Sequence, residues 1–219
     1  MTSYWTAFLD FIYPPKCPAC KGQVREQGAW CHACLPQILA PRKVNLLKHG
    51  LKDLDSCQVV CQYTGVLKRL IHDMKFRQQE KYAIYLRWLL QQNMTGDEFT
   101  SLHYVIPVPL HKKRLRERGY NQAEAIFKNW ARESKFSWRP ELLQRNRYTI
   151  PQWELNLSER KANMKDAFFI SRPEMIKNQK IILVDDILTT GVTLEECAKV
   201  LKQAGAKSVQ GLVIASGAG

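Results

Sequence analysis

Residues 181–193 read Ile-Ile-Leu-Val-Asp-Asp-Ile-Leu-Thr-Thr-Gly-Val-Thr, and this stretch decides the fold. Its apolar start, 181–184, is typical of a buried strand in a parallel sheet. Apolar residues then recur at helical spacing from Leu194 to Leu201, and Gly205 is a suitable end for that helix. A strand, a tight turn and a helix in this order predict an α/β fold with a doubly wound parallel sheet.

The turn in this stretch has the chemistry of a phosphate site. The first N–H groups of a helix have no partner within it, and the helix dipole favours an anion there. Thr189, Thr190 and Thr193 can donate hydroxyl hydrogen bonds, and Gly191 lets the backbone approach a ligand closely. The adjacent Asp185–Asp186 pair would face a polyol or a hydrated cation. The alternative is a strand that ends in a turn which only caps the helix.

Four of the seven cysteines form two C-x-x-C knuckles separated by ten residues: Cys17, Cys20, Cys31 and Cys34. Paired knuckles supply the four soft ligands that tetrahedral zinc prefers, and four protein ligands leave no open position for catalysis. We therefore predict a structural zinc ion, with a redox motif or chance as the alternatives. His32 lies inside the second knuckle as a bystander. Cys57, Cys61 and Cys197 fit core positions.

A second strand end carries a dense set of cations. Residues 104–109 begin as a buried strand that two prolines end, and 112–122 then hold five lysine or arginine side chains against one glutamate. Because the carboxyl ends of parallel strands meet at one edge of the sheet, this basic loop would lie near the acidic pair. Its candidate phosphate contacts are Lys112, Arg114 and Arg118. The alternative is an ordinary solvated loop.

Composition narrows the class of protein. The 219 residues suffice for one α/β domain and a small additional module. The formal net charge of +13 favours a polyanionic partner, nucleic acid or a phosphate-rich ligand, over generic basicity. No apolar run could span a bilayer, and 5–13 lacks the basic flank of a signal peptide, so we expect a cytoplasmic protein that is not integral to the membrane.

The strand, acidic pair and Thr-Thr-Gly-x-Thr turn closely resemble the phosphoribosyl pyrophosphate (PRPP) motif of type I phosphoribosyltransferases. The resemblance implies that Asp185 and Asp186, the catalytic candidates, bind the ribose hydroxyls of Mg²⁺-PRPP, and that Thr189, Thr190, Gly191, Val192 and Thr193 hold its 5′-phosphate. Val192 departs from the small residue that is usual there. The same resemblance implies that 145–163 is a lid, from which Arg160 contacts the pyrophosphate, with a plain connecting loop as the alternative.

Across nearly the whole chain, the order of motifs resembles the ComF/GntX family of competence-associated, phosphoribosyltransferase-like proteins. The shared features include the four cysteines, Lys75-Phe76, Pro107-Val108-Pro109 and the run from Arg118 to Gln122. We expect an N-terminal helix and a four-cysteine, zinc-ribbon-like module over residues 1–50, and the resemblance implies a phosphoribosyltransferase-like domain over 51–219.

The family resemblance also implies a function in natural transformation. A protein of this kind would handle incoming single-stranded DNA on the cytoplasmic side, peripheral to the inner membrane, beside a translocase ATPase and the membrane DNA channel. The basic and aromatic side chains fit that hypothesis, because cations track phosphates and rings stack on unpaired bases. The alternative hypothesis is an active transferase that moves phosphoribosyl from Mg²⁺-PRPP to an acceptor that the sequence does not identify.

Overall fold

The computed structural model describes residues 11–94, 99, 104–148 and 156–217, except for the side chains of 157 and 161. The strands are β1 (Leu39–Lys43), β2 (Ser56–Gln62), β3 (Tyr104–Pro107), β4 (Ser137–Trp138), β5 (Leu143–Arg145), β6 (Phe168–Ile170), β7 (Lys180–Leu188) and β8 (Ser208–Ser216). The helices are α1 (Leu46–His49), α2 (Gly65–Phe76), α3 (Ala83–Asn93), α4 (Lys112–Arg118), α5 (Gln122–Glu133), α6 (Leu157–Met164) and α7 (Val192–Gln203). Within these ranges, no helix has the length and apolar character needed to cross a membrane.

Six strands form the main sheet in the order β1-β2-β8-β7-β3-β4. All neighbouring strands are parallel except β1, which runs antiparallel to β2 at one edge. β7 lies inside the sheet, where Val184 is opposite Leu212 of β8 and Pro107 of β3. Burial on both faces explains why 181–184 is wholly apolar. The predicted parallel α/β sheet is confirmed.

Helices cover both faces of this sheet. α2, α3 and α5 pack on one face through residues such as Leu70, Leu86 and Ile126, while α6 and α7 pack on the other through Met164 and Leu201. The chain therefore leaves β3 towards the first face and leaves β7 towards the second. Adjacent parallel strands whose connections diverge in this way open a crevice at their carboxyl ends, which is the usual ligand position in doubly wound folds.

The cysteine-bearing N-terminal segment is joined to the sheet by β1. Leu39 is opposite Cys61 of β2, and Ile38 and Trp30 are buried in the core that also contains Leu86 of α3. The segment therefore packs against the α/β domain with a shared core. The division into 1–50 and 51–219 stays a prediction.

The basic segment after β3 differs from its prediction. Residues 112–118 form the helix α4, not a loop. Lysine, arginine, leucine and glutamate are good helix formers, and the segment has no internal glycine or proline. Nδ1 of His111 accepts a hydrogen bond from the N–H of Lys113 at 3.2 Å, and Gly119, at a φ of +86°, ends the helix. High charge density led to the wrong loop prediction, because charge alone does not oppose a helix.

The predicted lid, 145–163, is only partly a loop. Arg145 ends β5, which pairs with β6 in a small antiparallel sheet, and 157–164 form α6. The first turn of α6 has an Asn156 cap, whose Oδ1 accepts from the N–H of Glu159 at 3.0 Å. The middle of the predicted lid, 149–155, lies outside the described residues.

Candidate functional site

The turn between β7 and α7 has the backbone geometry of a phosphate site. Gly191 has a φ of +80° and directly precedes the first residue of α7, Val192. A Cβ at Gly191 would lie 2.7 Å from Cδ2 of Leu51, so the position excludes a side chain on both conformational and steric grounds. The twelve-residue helix α7 begins directly after this turn, so its dipole favours an anion there.

The acidic pair lies within β7, which continues beyond it to Leu188. Asp186 is 4% exposed; its Oδ1 accepts from Nζ of Lys75 at 2.8 Å, whereas its buried Oδ2 has no hydrogen-bond partner among the described residues. Oδ1 of Asp185 accepts from the N–H of Asp186 at 2.8 Å. Burial, and then the neighbouring charge of Asp186, raise the pKa of Asp185. The pair is thus strained electrostatically, and a ligand hydroxyl or a cation would relieve that strain.

Cations face this pair from α4 and α6. Arg114, Arg118 and Arg160 line the same cleft as the two aspartates. Arg118 donates from Nη1 to Oε1 of Gln122. Burial lowers the pKa of Arg118, whereas the Asp186 charge acts in the opposite direction. A partly buried guanidinium beside a carboxylate is well placed to contact an anionic ligand.

Most of the predicted ligand residues meet in one cleft of about 1040 Å³. Two of them are not part of its lining: Lys112 is exposed on the first turn of α4, and the hydroxyl of Thr190 is buried without a hydrogen-bond partner in the described part of the chain. Those that line the cleft are Asp185, Asp186, Thr189, Gly191, Val192, Thr193, Arg114, Arg118 and Arg160.

Sequence reasoning assigned no function to the end of α2, although it contributes to the cleft. Lys75 pairs with Asp186, and its neighbours His72 and Phe76 line the same wall. The motif Lys75-Phe76 contributed to the family resemblance without an assigned role. A lysine beside a phenylalanine at the end of an amphipathic helix was the available signal in the sequence.

The four predicted zinc ligands converge. The Sγ atoms of Cys17, Cys20, Cys31 and Cys34 all lie within 4.8 Å of one another, and those of Cys20 and Cys31 are 3.6 Å apart. Tetrahedral zinc with Zn–S bonds of about 2.3 Å requires sulfur atoms about 3.8 Å apart, so the donor set fits this ion. In the first knuckle, the N–H of Cys17 donates to the carbonyl of Gly22 at 2.8 Å, and the N–H of Lys21 donates to that of Cys17 at 3.0 Å.

The four-cysteine module is held against α3. Nε1 of buried Trp30 donates to the carbonyl of Tyr85 at 3.1 Å, and Nε1 of Trp88 donates to Oε1 of Glu26 at 2.7 Å. Gly28 contacts α3 so closely that a Cβ there would lie 2.7 Å from the side chain of Ile84. These contacts make the module a fixed part of the structure. The remaining cysteines, 57, 61 and 197, are buried as expected.

Two family models match the chain. The phosphoribosyl transferase domain model covers residues 134–218, and the double zinc ribbon domain model covers residues 8–44. Among solved structures, the glutamine PRPP amidotransferase of B. subtilis in complex with ADP and GMP covers 58% of this chain and 25% of its own length, with a TM-score of 0.40 and 17% identity. That likeness is too distant to carry a structural argument.

Curated relatives match over most of their length. DNA utilization protein YhgH of Escherichia coli (strain K12) is 34% identical over 199 residues, which are 89% of this chain and 87% of that protein. Competence protein F of Haemophilus influenzae is 28% identical over 204 residues, which are 90% of this chain and 82% of that protein. With these relatives and both domain matches, the chain belongs to the ComF/GntX family of competence-associated, phosphoribosyltransferase-like proteins.

Proposed function

We propose that this protein serves DNA uptake in natural transformation by binding incoming single-stranded DNA, and that it binds PRPP in the cleft at the end of β7. The observation that carries the proposal is that one cleft combines a phosphate turn, an acidic pair and several arginines. Relatives named DNA utilization protein and competence protein F support the cellular process. The proposed location is cytoplasmic, peripheral to the inner membrane, where a translocase ATPase and the DNA channel are the proposed partners.

The proposed PRPP pose follows the chemistry of the cleft. The turn from Thr189 to Thr193 takes the 5′-phosphate, Asp185 and Asp186 take the ribose hydroxyls, and Arg114, Arg118 and Arg160 take the pyrophosphate. Lys112, exposed on the first turn of α4 outside the lining of the cleft, contacts the pyrophosphate only if its side chain reaches towards the cleft. Oδ2 of Asp186 is buried and has no partner among the residues that the structure describes, which supports this pose, because a ligand hydroxyl could satisfy it. Carboxylates and phosphate oxygens are also the ligands that Mg²⁺ prefers, so the pair fits the magnesium that accompanies PRPP.

An aromatic ring with basic side chains around it, located at α4 and just after β5, supports the binding of single-stranded DNA. Nζ of Lys113 lies 4.8 Å from the ring centroid of Tyr148, and the guanidinium carbon of Arg114 lies 5.8 Å from it. His111 meets the same ring edge-on at 5.3 Å. A ring surrounded by cations can stack on an unpaired base while the cations contact its phosphates.

An active phosphoribosyltransferase is the second candidate function, and the volume of the cleft favours it. About 1040 Å³ is enough for a sugar pyrophosphate and a further small molecule. The acceptor would attack the anomeric carbon of PRPP, and pyrophosphate would leave with the electron pair of the broken C–O bond. Consumption of Mg²⁺-PRPP with any nucleobase, nucleotide or cell-extract fraction would favour this function, and none with any of them would count against it.

The experiment that tests the main proposal is a titration of labelled single-stranded DNA at two salt concentrations, with and without Mg²⁺-PRPP. We expect DNA affinity to fall steeply with salt, because bound cations release counterions. If both anions use the arginines of the cleft, PRPP weakens DNA binding and DNA weakens PRPP binding by the same factor. Undetectable or salt-independent DNA binding would overturn the DNA part, and independent binding of the two ligands would overturn their competition.

A further inference from the structure

The last turn of α2 carries an exposed aromatic pair on the wall of the cleft. We infer that Phe76, supported by His72, is a stacking surface for a nucleobase whose sugar and phosphates occupy the rest of the cleft. The inference rests on the proposed function, since a phosphorylated ligand must bring the base into the cleft. It adds a second base-stacking position to the cleft, which Tyr148 also lines.

The exposure and geometry of the pair support a ring-shaped ligand. The side chain of Phe76 is 56% exposed, although it lines a cleft. Its ring centroid lies 4.8 Å from that of His72, at an interplanar angle of 42°. The two residues are one helical turn apart, so both rings lie on the same side of α2. Phe76 thus leaves part of its apolar surface to solvent in the cleft, and a planar base could cover it.

The helix end that carries this stacking surface is also fixed beside the sugar site. Lys75, next to Phe76, pairs with Asp186 at 2.8 Å. The hydroxyl of Tyr120 donates to the carbonyl of Met74 at 2.7 Å, and Nε2 of Gln78 donates to the carbonyl of Glu117 at 3.1 Å. These contacts fix the end of α2 and the residues just after it to β7, to the turn between α4 and α5, and to α4. A rigid ring loses little entropy when a base stacks on it.

The surrounding charges decide which ligand fits. The same cleft is also lined by arginines, by the phosphate turn and by the two carboxylates. An apolar peptide would leave those charged groups without a ligand. A nucleobase attached to, or held next to, a sugar phosphate would contact both the aromatic and the charged residues of the cleft. The base has two sources with the same chemistry: an unpaired base of single-stranded DNA, or a free nucleobase that binds beside PRPP.

The first arm of the test compares two oligonucleotides of equal length, oligothymidylate and an abasic strand with the same phosphates. For the unmodified protein we expect tighter binding of the thymidylate strand. For Phe76→Ala we expect thymidylate affinity to fall about tenfold, in line with the loss of one stacked base, while abasic affinity is unchanged. Phe76→Trp should keep the preference, because its larger ring also stacks. Phe169→Ala is the matched control, since Phe169 is 39% exposed on β6, outside the lining of the cleft.

The second arm replaces the oligonucleotide with free adenine or thymine in the presence of Mg²⁺-PRPP, followed by ligand-observed NMR. A signal that Phe76→Ala removes and Phe169→Ala retains assigns the stacking surface to a free base. If Phe76→Ala loses only affinity for oligothymidylate, the stacking surface is assigned to DNA. Equal behaviour of Phe76→Ala and the unmodified protein in both arms overturns the inference. If the unmodified protein binds neither strand and no PRPP, the proposed function itself fails, so the two failures are distinguishable.

Discussion

The four-cysteine cluster and the cleft differ in how much of the chain each one needs. All four sulfur ligands come from residues 17–34, and their Sγ atoms lie within 4.8 Å of one another. The cleft combines side chains from α2, α4, α6 and β7, which meet only when the sheet has formed. One site is therefore encoded locally, whereas the other depends on topology. The comparison predicts different responses to substitution at the two sites.

The largest effect is expected from loss of the metal. Cys17→Ser removes one of four ligands, and the thiol lies in a fully buried position. We expect the substitution to lower the free energy of unfolding by about 5 kcal/mol, because a structural metal contributes folding energy directly. Zinc content by mass spectrometry and thermal unfolding would measure this. His32→Ala is the control within the second knuckle, since His32 is exposed, and it should retain both zinc and stability.

Full zinc content and unchanged unfolding in Cys17→Ser would contradict the assignment of Cys17 as a ligand, and zinc-free unmodified protein would contradict a structural metal. A chelator provides a second measurement. If the cleft depends on the module through its contacts with α3, removal of zinc should weaken PRPP binding as well. If the two sites are independent, chelation should lower stability without changing PRPP affinity.

How much the sequence could predict follows the same division between local and distant contacts. The strand, turn and helix around Gly191 and the two cysteine knuckles are short patterns, and both were predicted together with the parallel sheet. Lys75 and Leu51 were not assigned to the site, because their contacts with Asp186 and Gly191 cross between distant segments. The helix α4 was missed for another reason, because its charge was taken as a sign of a loop although its residues favour a helix.

The next largest effect tests the ion pair that joins α2 to β7. Lys75→Met keeps the aliphatic stem but leaves Asp186, which is 4% exposed, without its cation. We expect a loss of about 3 kcal/mol of unfolding free energy, since breaking a buried pair leaves an uncompensated charge. The control is Lys128→Met, which breaks a pair with Glu124 in which both side chains are nearly two-fifths exposed. That change should stay within about 0.5 kcal/mol.

Equal effects of Lys75→Met and Lys128→Met, measured by denaturant unfolding at neutral pH, would contradict the assignment of the ion pair as a buried one. The double variant Lys75→Met/Asp186→Asn offers a further check. Removing both charges should restore part of the stability, because no unpaired buried charge remains.

A smaller effect is expected at the phosphate turn. Gly191→Ala places a Cβ 2.7 Å from Leu51 at a backbone φ of +80°, so we expect a loss of about 2 kcal/mol together with weaker PRPP binding. Gly50→Ala is the matched control, because its φ is +64° and no atom lies within 4 Å of the added Cβ. It should lose only about 1 kcal/mol, the strain of the backbone itself.

The double variant Leu51→Ala/Gly191→Ala separates the two contributions at the turn. Shortening Leu51 removes the clash but not the backbone strain, so Gly191→Ala should be less harmful in that background, by about 1 kcal/mol. Additive losses in thermal unfolding would mean that the side chain of Leu51 does not restrict this position.

The smallest expected effect has the opposite sign, and it distinguishes the two sites most clearly. Asp185→Asn keeps an oxygen to accept the 2.8 Å hydrogen bond from Asp186 N–H, and removes a carboxyl whose pKa burial and Asp186 raise. Because the folded pKa lies above the unfolded value of about 3.9, the folded state binds more protons. Stability of the unmodified protein should therefore fall as pH rises from about 4 through the raised pKa, and Asp185→Asn should lack this slope.

At neutral pH without ligand, we expect Asp185→Asn to be about 1 kcal/mol more stable than the unmodified protein by thermal unfolding, while Mg²⁺-PRPP stabilises the variant less than the unmodified protein. Asp186→Asn, which weakens the pair with Lys75, should instead be destabilised. If both variants were less stable than the unmodified protein, both aspartates would stabilise the fold, as the four cysteines are expected to do. If Asp185→Asn were more stable and Asp186→Asn less stable, the charge of Asp185 would be unfavourable for folding and retained because the ligand needs it.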